Sequence, residues 1–174
     1  MKYYVIQVRT NAEEKYMEFF NTVHPAGDIK MYFPRREILE RKQGKTQKQV
    51  RPVFPGYLFI ETVDSEQIQE LQWIFRKIPG FFRFLRSNAD ITVLSGADLE
   101  IVLHFAKKMG PVAGLSKAYF NEQDRIVVTE GPLCGLEGLI IKVDKRKGRA
   151  KIKLDFCDEA FTVDLGFEII EGSK

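Results

Sequence analysis

Between Gly131 and Val143 the chain reads Gly-Pro-Leu-Cys-Gly-Leu-Glu-Gly-Leu-Ile-Ile-Lys-Val, and glycines this closely set can cradle a phosphate on backbone amides. That chemistry has further requirements. A Walker loop follows its last glycine with Lys-Ser/Thr, to reach phosphate and magnesium, and Leu139 and Ile140 stand there instead. A dinucleotide fingerprint places glycines first, third and sixth and opens a helix. Here they fall first, fifth and eighth, and Leu139-Ile140-Ile141-Lys142-Val143 is β-branched and reads as a strand. Other reactive types are as sparse. Cys134 and Cys157 lack Cys-x-x-Cys spacing and neighbouring histidines, which leaves no pattern for zinc or a disulfide framework. His24 reads as a helix-end residue and His104 as a helix-surface residue, neither with a matching nucleophile, and the scattered acids suggest no acid/base pair. Neither catalysis, a metal nor a cofactor is expected.

The charged residues point elsewhere. Residues 1–110 hold 17 Lys/Arg against 13 Asp/Glu, and the remainder holds 10 against 11, so the net +3 belongs to the first part. One cluster runs Lys30, Arg35, Arg36, Arg41, Lys42, Lys45, Lys48 and Arg51, against only Glu37 and Glu40. A second holds Lys145, Arg146, Lys147, Arg149, Lys151 and Lys153. Such patches attract polyanions through counterion release, or they keep hairpin tips soluble. The composition leaves both readings open.

The elements that would position these groups divide into two parts. Tyr3 to Val8 is a strand, and Thr10 or Asn11 can cap a helix carrying Ala12, Tyr16, Phe19, Phe20 and Val23. Ile29 to Phe33 begins a strand, Arg35 to Leu39 continues extended, and Lys42-Gln43-Gly44-Lys45 is a hairpin tip before a returning strand, Gln47 to Ile60. Asp64 or Ser65 caps a second helix with Ile68, Leu71, Ile74 and Phe75 on one face; Gly80 to Leu85 is a strand, and Ser95 caps a third helix. The order β-α-β-β-α-β-α predicts an α+β domain over residues 1–108, an antiparallel sheet flanked by helices. Residues 109–119, with Gly110-Pro111 and Gly114, read as a linker. Over residues 120–174, Arg125 to Val128, Leu139 to Val143, Arg149 to Leu154, Phe161 to Leu165 and Phe167 to Ile170 are short strands separated by turns. They predict a small SH3-like barrel with Gly131 to Gly138 shaping its sharp connection. No apolar run reaches the length of a membrane span, and Met1-Lys2 leads straight into a strand rather than a signal sequence, so a cytoplasmic protein is expected.

Within the returning strand, period-two geometry sends Tyr57 and Phe59 to one face and Leu58 and Ile60 to the other. If helices cover Leu58 and Ile60, two large aromatics remain for a partner. Burial on both faces is the alternative.

The glycine segment with its preceding Val-Val-Thr-Glu resembles the KOW motif of ribosomal and transcription-elongation proteins. Tyr3-Tyr4-Val5, Pro34-Arg35-Arg36, Phe54-Pro55-Gly56-Tyr57, Ile78-Pro79-Gly80-Phe81 and Leu94-Ser95 resemble the successive motifs of the NusG N-terminal (NGN) domain. Nearly the whole chain is covered, in order. The resemblance implies a non-catalytic, monomeric transcription elongation factor. It implies docking on the clamp helices of RNA polymerase's largest subunit through Phe54, Tyr57 and Phe59, with Lys15 as a further contact.

Two departures qualify it. Many NusG proteins have Arg-Asn-Thr-Pro-Gly where this chain has Arg76-Lys77-Ile78-Pro79-Gly80. Lys77 offers non-template DNA a phosphate contact but no bidentate base readout. In the barrel, Phe156 matches the family aromatic that contacts ribosomal protein uS10 or Rho, but Cys157-Asp158-Glu159 replaces the usual turn. Pro34-Arg35-Arg36 with its basic hairpin, and Val143 to Lys151, resemble the LoaP subgroup, antiterminators that recognise an RNA hairpin. That resemblance implies RNA-phosphate contacts by Arg35, Arg36, Arg41, Lys42, Lys45, Lys48 and Arg51, with Lys145, Arg146, Lys147 and Arg149 in the barrel. An ordinary NusG acting in pausing and Rho-dependent termination, or a ribosome-associated KOW module that binds RNA, are the alternatives.

Overall fold

The computed structural model describes residues 1–85 and 91–171; residues 172–174, the end of the expected second domain, lie outside them. In chain order the first elements are β1 (Lys2–Val8), α1 (Glu13–Val23), β2 (Lys30–Tyr32), β3 (Arg35–Lys42), β4 (Lys45–Pro52), β5 (Tyr57–Thr62), α2 (Ser65–Lys77), β6 (Phe81–Phe84) and α3 (Gly96–Leu103). A π-helical turn (His104–Lys108) follows, then β7 (Val112–Ala113), β8 (Ser116–Phe120), β9 (Ile126–Glu130), β10 (Ile140–Asp144), β11 (Arg149–Phe156) and β12 (Glu159–Ile169). They form two compact units: residues 1–33 with 54–102, and residues 34–53 with 103–174. The α+β class expected from the sequence is the one observed.

The first unit is built on a four-stranded sheet in the order β2-β5-β1-β6. β1 and β5 pair antiparallel, with Tyr4 opposite Ile60 and Ile6 opposite Leu58. These side chains share a core with Tyr16 and Phe20 of α1 and Ile68 and Phe75 of α2, so both helices cover one face of the sheet. Phe20 stacks on Phe75 at 4.7 Å between centroids, and burying each ring is worth roughly 2–3 kcal/mol. The Tyr16 hydroxyl donates to the Phe75 carbonyl at 2.7 Å. Burial pushes its phenol well above the ordinary value. α2 is capped as expected, the Asp64 carboxylate accepting from the Glu66 amide at 2.9 Å. α1 is not: its cap residue is Ala12 with no side-chain hydrogen bond, and Asn11 sits at φ +68 in the turn before it. The apolar face of α1 is also narrower than its spacing suggests, with Phe19 and Val23 exposed.

The second unit contains a five-stranded sheet, β10-β11-β12-β8-β9, and a three-stranded one, β4-β3-β7. β11 alternates strictly, Ala150, Ile152, Leu154 and Phe156 buried and the lysines between them facing outward. The expected strands Phe161–Leu165 and Phe167–Ile170 form one continuous strand, β12. The expected returning strand Gln47–Ile60 is instead two, since β4 pairs with β3 in this unit and β5 belongs to the other sheet. The 109–119 segment is not loose. Val112 and Ala113 pair with Arg35 and Arg36, Ser116 to Ala118 pair with β12, and Ala113, Ser116 and Ala118 are fully buried. Among the glycines of the opening motif, Gly131 and Gly135 take positive φ, and of the two Gly131 is the one also closed in by its neighbours. It lies at φ +96, and a Cβ there would meet the Ser116 Cα at 2.6 Å.

Candidate functional site

The aromatic segment of the first unit is held by a tight turn. The Tyr57 amide donates to the Phe54 carbonyl at 3.2 Å, and the Val8 amide to the Gly56 carbonyl at 2.8 Å. Gly56 lies at φ +81, with room for a Cβ taken by Thr10 Oγ1 at 3.0 Å and the Val8 carbonyl at 3.2 Å. Its amide donates to Glu13 Oε1 at 2.7 Å, and Glu13 is 2% exposed. A buried carboxylate in the first turn of α1 therefore fixes the loop that orients Tyr57. Sequence reasoning missed it, because an acid at a helix start ordinarily complements the helix dipole in solvent.

Of the three aromatics, the Phe54 and Phe59 rings meet edge to face at 5.5 Å. Tyr57 and Phe59 point away from the helix-covered core that holds Leu58 and Ile60. The open aromatic patch that this arrangement suggested is corrected: Phe54 and Phe59 are 0% exposed and Tyr57 is 5% exposed, so β5 is buried on both faces. Glu61, next along that face, is also buried and accepts hydrogen bonds from the Tyr3 hydroxyl at 2.8 Å and the Tyr32 hydroxyl at 3.0 Å. Lys15 stands exposed on α1. Lys77 is exposed at the end of α2, its ammonium 4.8 Å from the Trp73 ring centroid.

In the second unit the two basic segments, far apart in sequence, form one cleft of about 840 Å³. Arg41 from the β3–β4 hairpin and Lys145, Arg146, Lys147 and Arg149 from the β10–β11 turn line it, together with Leu39, Phe167 and Ile169. The hairpin tip is the expected two-residue turn, Gln43 and Gly44 both at positive φ. Close backbone approach holds hairpin and barrel together. A Cβ on Gly166 would meet Leu115 Cδ2 at 2.4 Å and the Glu37 carbonyl at 3.0 Å; one on Gly148 would meet the Phe167 carbonyl at 2.8 Å.

Two of the expected phosphate-binding arginines are part of that junction. Arg36 donates through Nε to the Asp164 carbonyl at 2.5 Å and through Nη1 to the Pro52 carbonyl. Burial pushes its guanidinium down to about 10, with Asp164 opposing and Arg149 and Arg51 adding to the fall. Arg36 thus serves the fold rather than a phosphate, a correction to its expected role. Arg149 donates through Nε to the Leu39 carbonyl at 3.0 Å. Arg35 opens β3 half-buried. Lys48 pairs with Glu37 at 3.5 Å, Arg51 with Glu40 at 3.2 Å and Lys145 with Asp124. Arg41, Lys42, Lys45, Arg146 and Lys147 are exposed and make no ion pair among the described residues. Phe156, expected to touch a partner, is 0% exposed in the barrel core, its ring edge-to-face with Phe161 at 6.1 Å. It cannot reach a partner while the barrel is closed, and that expectation too is corrected.

His24 ends α1 and bonds Asp28 at 2.8 Å, and His104 bonds the Pro132 carbonyl at 2.8 Å rather than lying on a free helix surface. Among the described residues no cluster of three His, Cys, Asp or Glu could hold a metal, and no helix is long and apolar enough to cross a membrane.

Comparison with known proteins agrees with this architecture. The family model described as "Transcription termination factor nusG" matches residues 1–103. The transcription termination/antitermination protein NusG of Pasteurella multocida is 25% identical over 178 residues, covering 98% of this chain and 94% of that protein. Its Escherichia coli counterpart is 22% identical over 98% of this chain and 95% of its own length. Among solved structures, one titled "Domain interaction in Thermotoga maritima NusG" aligns with a TM-score of 0.55 at 19% identity, over 95% of this chain and 93% of that one.

Proposed function

The chain belongs to the NusG family, and from that premise we propose that it is a transcription elongation factor that docks on the clamp helices of RNA polymerase. The observation that carries this reading is the turn built around Gly56 and Glu13, which aims Phe54, Tyr57 and Phe59 to the sheet face opposite the helices. Lys15 on α1 supplies a charged contact. Because Tyr57 and Phe59 are buried in the folded chain, docking requires that face to be uncovered first. Once docked, a factor that bridges the DNA cleft biases a bistable clamp against its open, paused state, which raises processivity.

A second element of the proposal is recruitment by RNA, as in the LoaP-like antiterminators. Its support is the convergence of Arg41, Arg146 and Lys147 on one cleft, with Lys42 and Lys45 at the adjoining hairpin tip. These five exposed cations are free to neutralise phosphates. Lys77 remains available for a phosphate of non-template DNA. The experiment is in vitro transcription across a terminator, with and without a leader hairpin. Leader-dependent readthrough supports antitermination; leader-independent stimulation of Rho-dependent termination supports a general NusG instead.

A further inference from the structure

The cleft of the second unit contains an acid that phosphate binding does not explain. Glu168 of β12 lines it beside Arg146 and Lys147, is exposed, and makes no ion pair among the described residues. The other acid there, Glu40, is engaged by Arg51 at 3.2 Å and faces Arg149 at 3.9 Å. A groove serving phosphates alone is weakened by a free carboxylate among its cations. The floor is equally unsuited to a sugar-phosphate chain. Leu39 is half-buried there, an apolar surface that a backbone leaves uncovered and a flat base covers.

Phosphate-binding cations, an apolar floor and one unengaged carboxylate are together the parts of a nucleotide-reading site. We propose that the cleft seats an unpaired guanine of a single-stranded nucleic acid, its flanking phosphates held by Arg41 and Arg146 and its base read by Glu168. This deepens the RNA-recruitment reading and rests on it. Guanine is chosen by the donor pattern. A carboxylate accepts two parallel hydrogen bonds, and guanine presents N1–H and N2–H side by side on its Watson–Crick edge. Uracil offers one N–H between two carbonyls that repel the carboxylate. Adenine and cytosine each offer an exocyclic amino group beside an acceptor.

The test uses the full chain and fluorescein-labelled uridine decamers, either uniform or carrying central guanosines, adenosines or cytidines, with deoxyribose counterparts. Fluorescence anisotropy at fixed ionic strength gives each dissociation constant. The guanosine oligomer should bind roughly tenfold more tightly than the uniform one. Glu168→Gln should remove that preference while binding the uniform tract as well as or better than the wild type. Arg146→Ala should weaken all sequences alike. A preference in the ribose or the deoxyribose series supports the site and tells which nucleic acid fills it. Binding without base preference, or a guanine preference that survives Glu168→Gln, overturns this inference and leaves the RNA reading standing. No binding to any oligomer also overturns this inference, while the RNA reading is decided separately by the leader-dependent transcription above.

Discussion

Replacing Glu13 with alanine should destabilise the first unit more than any change at an exposed acid. The carboxylate is 2% exposed and accepts the Gly56 amide at 2.7 Å. Removing it leaves a buried N–H without a partner, which costs about 1–3 kcal/mol. It also removes a negative charge from the first turn of α1, worth a further 0.3–1 kcal/mol or so. The expected loss is about 2–3 kcal/mol. Glu13→Gln retains an accepting oxygen and should lose about 1 kcal/mol. Trp73, the single tryptophan, lies on α2 in the same unit, so its fluorescence in urea reports this unit. Amide exchange at Gly56 reports the loop itself. A Glu13→Ala protein that loses less than about 0.5 kcal/mol, or matches Glu13→Gln in both readouts, would show that the Glu13 carboxylate does not hold the Gly56 loop.

Further outcomes follow from single residues. Tyr16 keeps its proton in the fold above the ordinary pKa of 10.0, because burial raises it. Its contribution is complete below that pH and is lost as pH rises further, by up to about 1.4 kcal/mol per pH unit. Tyr16→Phe should cost about 1 kcal/mol at neutral pH and flatten the alkaline decline in urea midpoint, leaving the smaller share of Tyr4, whose pKa burial also raises. Gly131→Ala should cost more than about 2 kcal/mol in thermal unfolding, because its Cβ meets the backbone of Ser116 at positive φ. Gly138→Ala, with nothing within 4 Å, should stay within about 0.5 kcal/mol. For RNA, five free cations predict a slope of log K against log salt of about −3 to −4. Lys45→Ala should reduce its magnitude by about 0.7, whereas Arg36→Met should leave it unchanged.

Local signals were legible in the sequence where the chemistry is local. Asp64 caps α2 because its carboxylate meets the Glu66 amide two residues on, and Gln43-Gly44 turns because the hairpin needs positive φ there. The alternation of β11 was readable in the same way. What could not be read depends on distant partners. Arg36 looks like any basic hairpin residue until the Asp164 carbonyl, far along the chain, takes its guanidinium. Glu13 looks solvated until Gly56 arrives over it. The segment 109–119 has a linker's composition, but its backbone is taken up by β3 and β12. Two basic runs became one cleft for the same reason: composition fixes sign, and topology fixes place.

Docking on the polymerase is read out by binding the full chain to purified core RNA polymerase, with the isolated clamp-helix coiled coil as competitor. Wild-type protein should bind, and the coiled coil should displace it. Tyr57→Ala, confirmed as folded by Trp73 fluorescence, should bind about thirtyfold more weakly or worse, a loss of roughly 2 kcal/mol or more. Undiminished binding by that folded variant, or binding the coiled coil cannot compete, would rule out clamp-helix docking through this face.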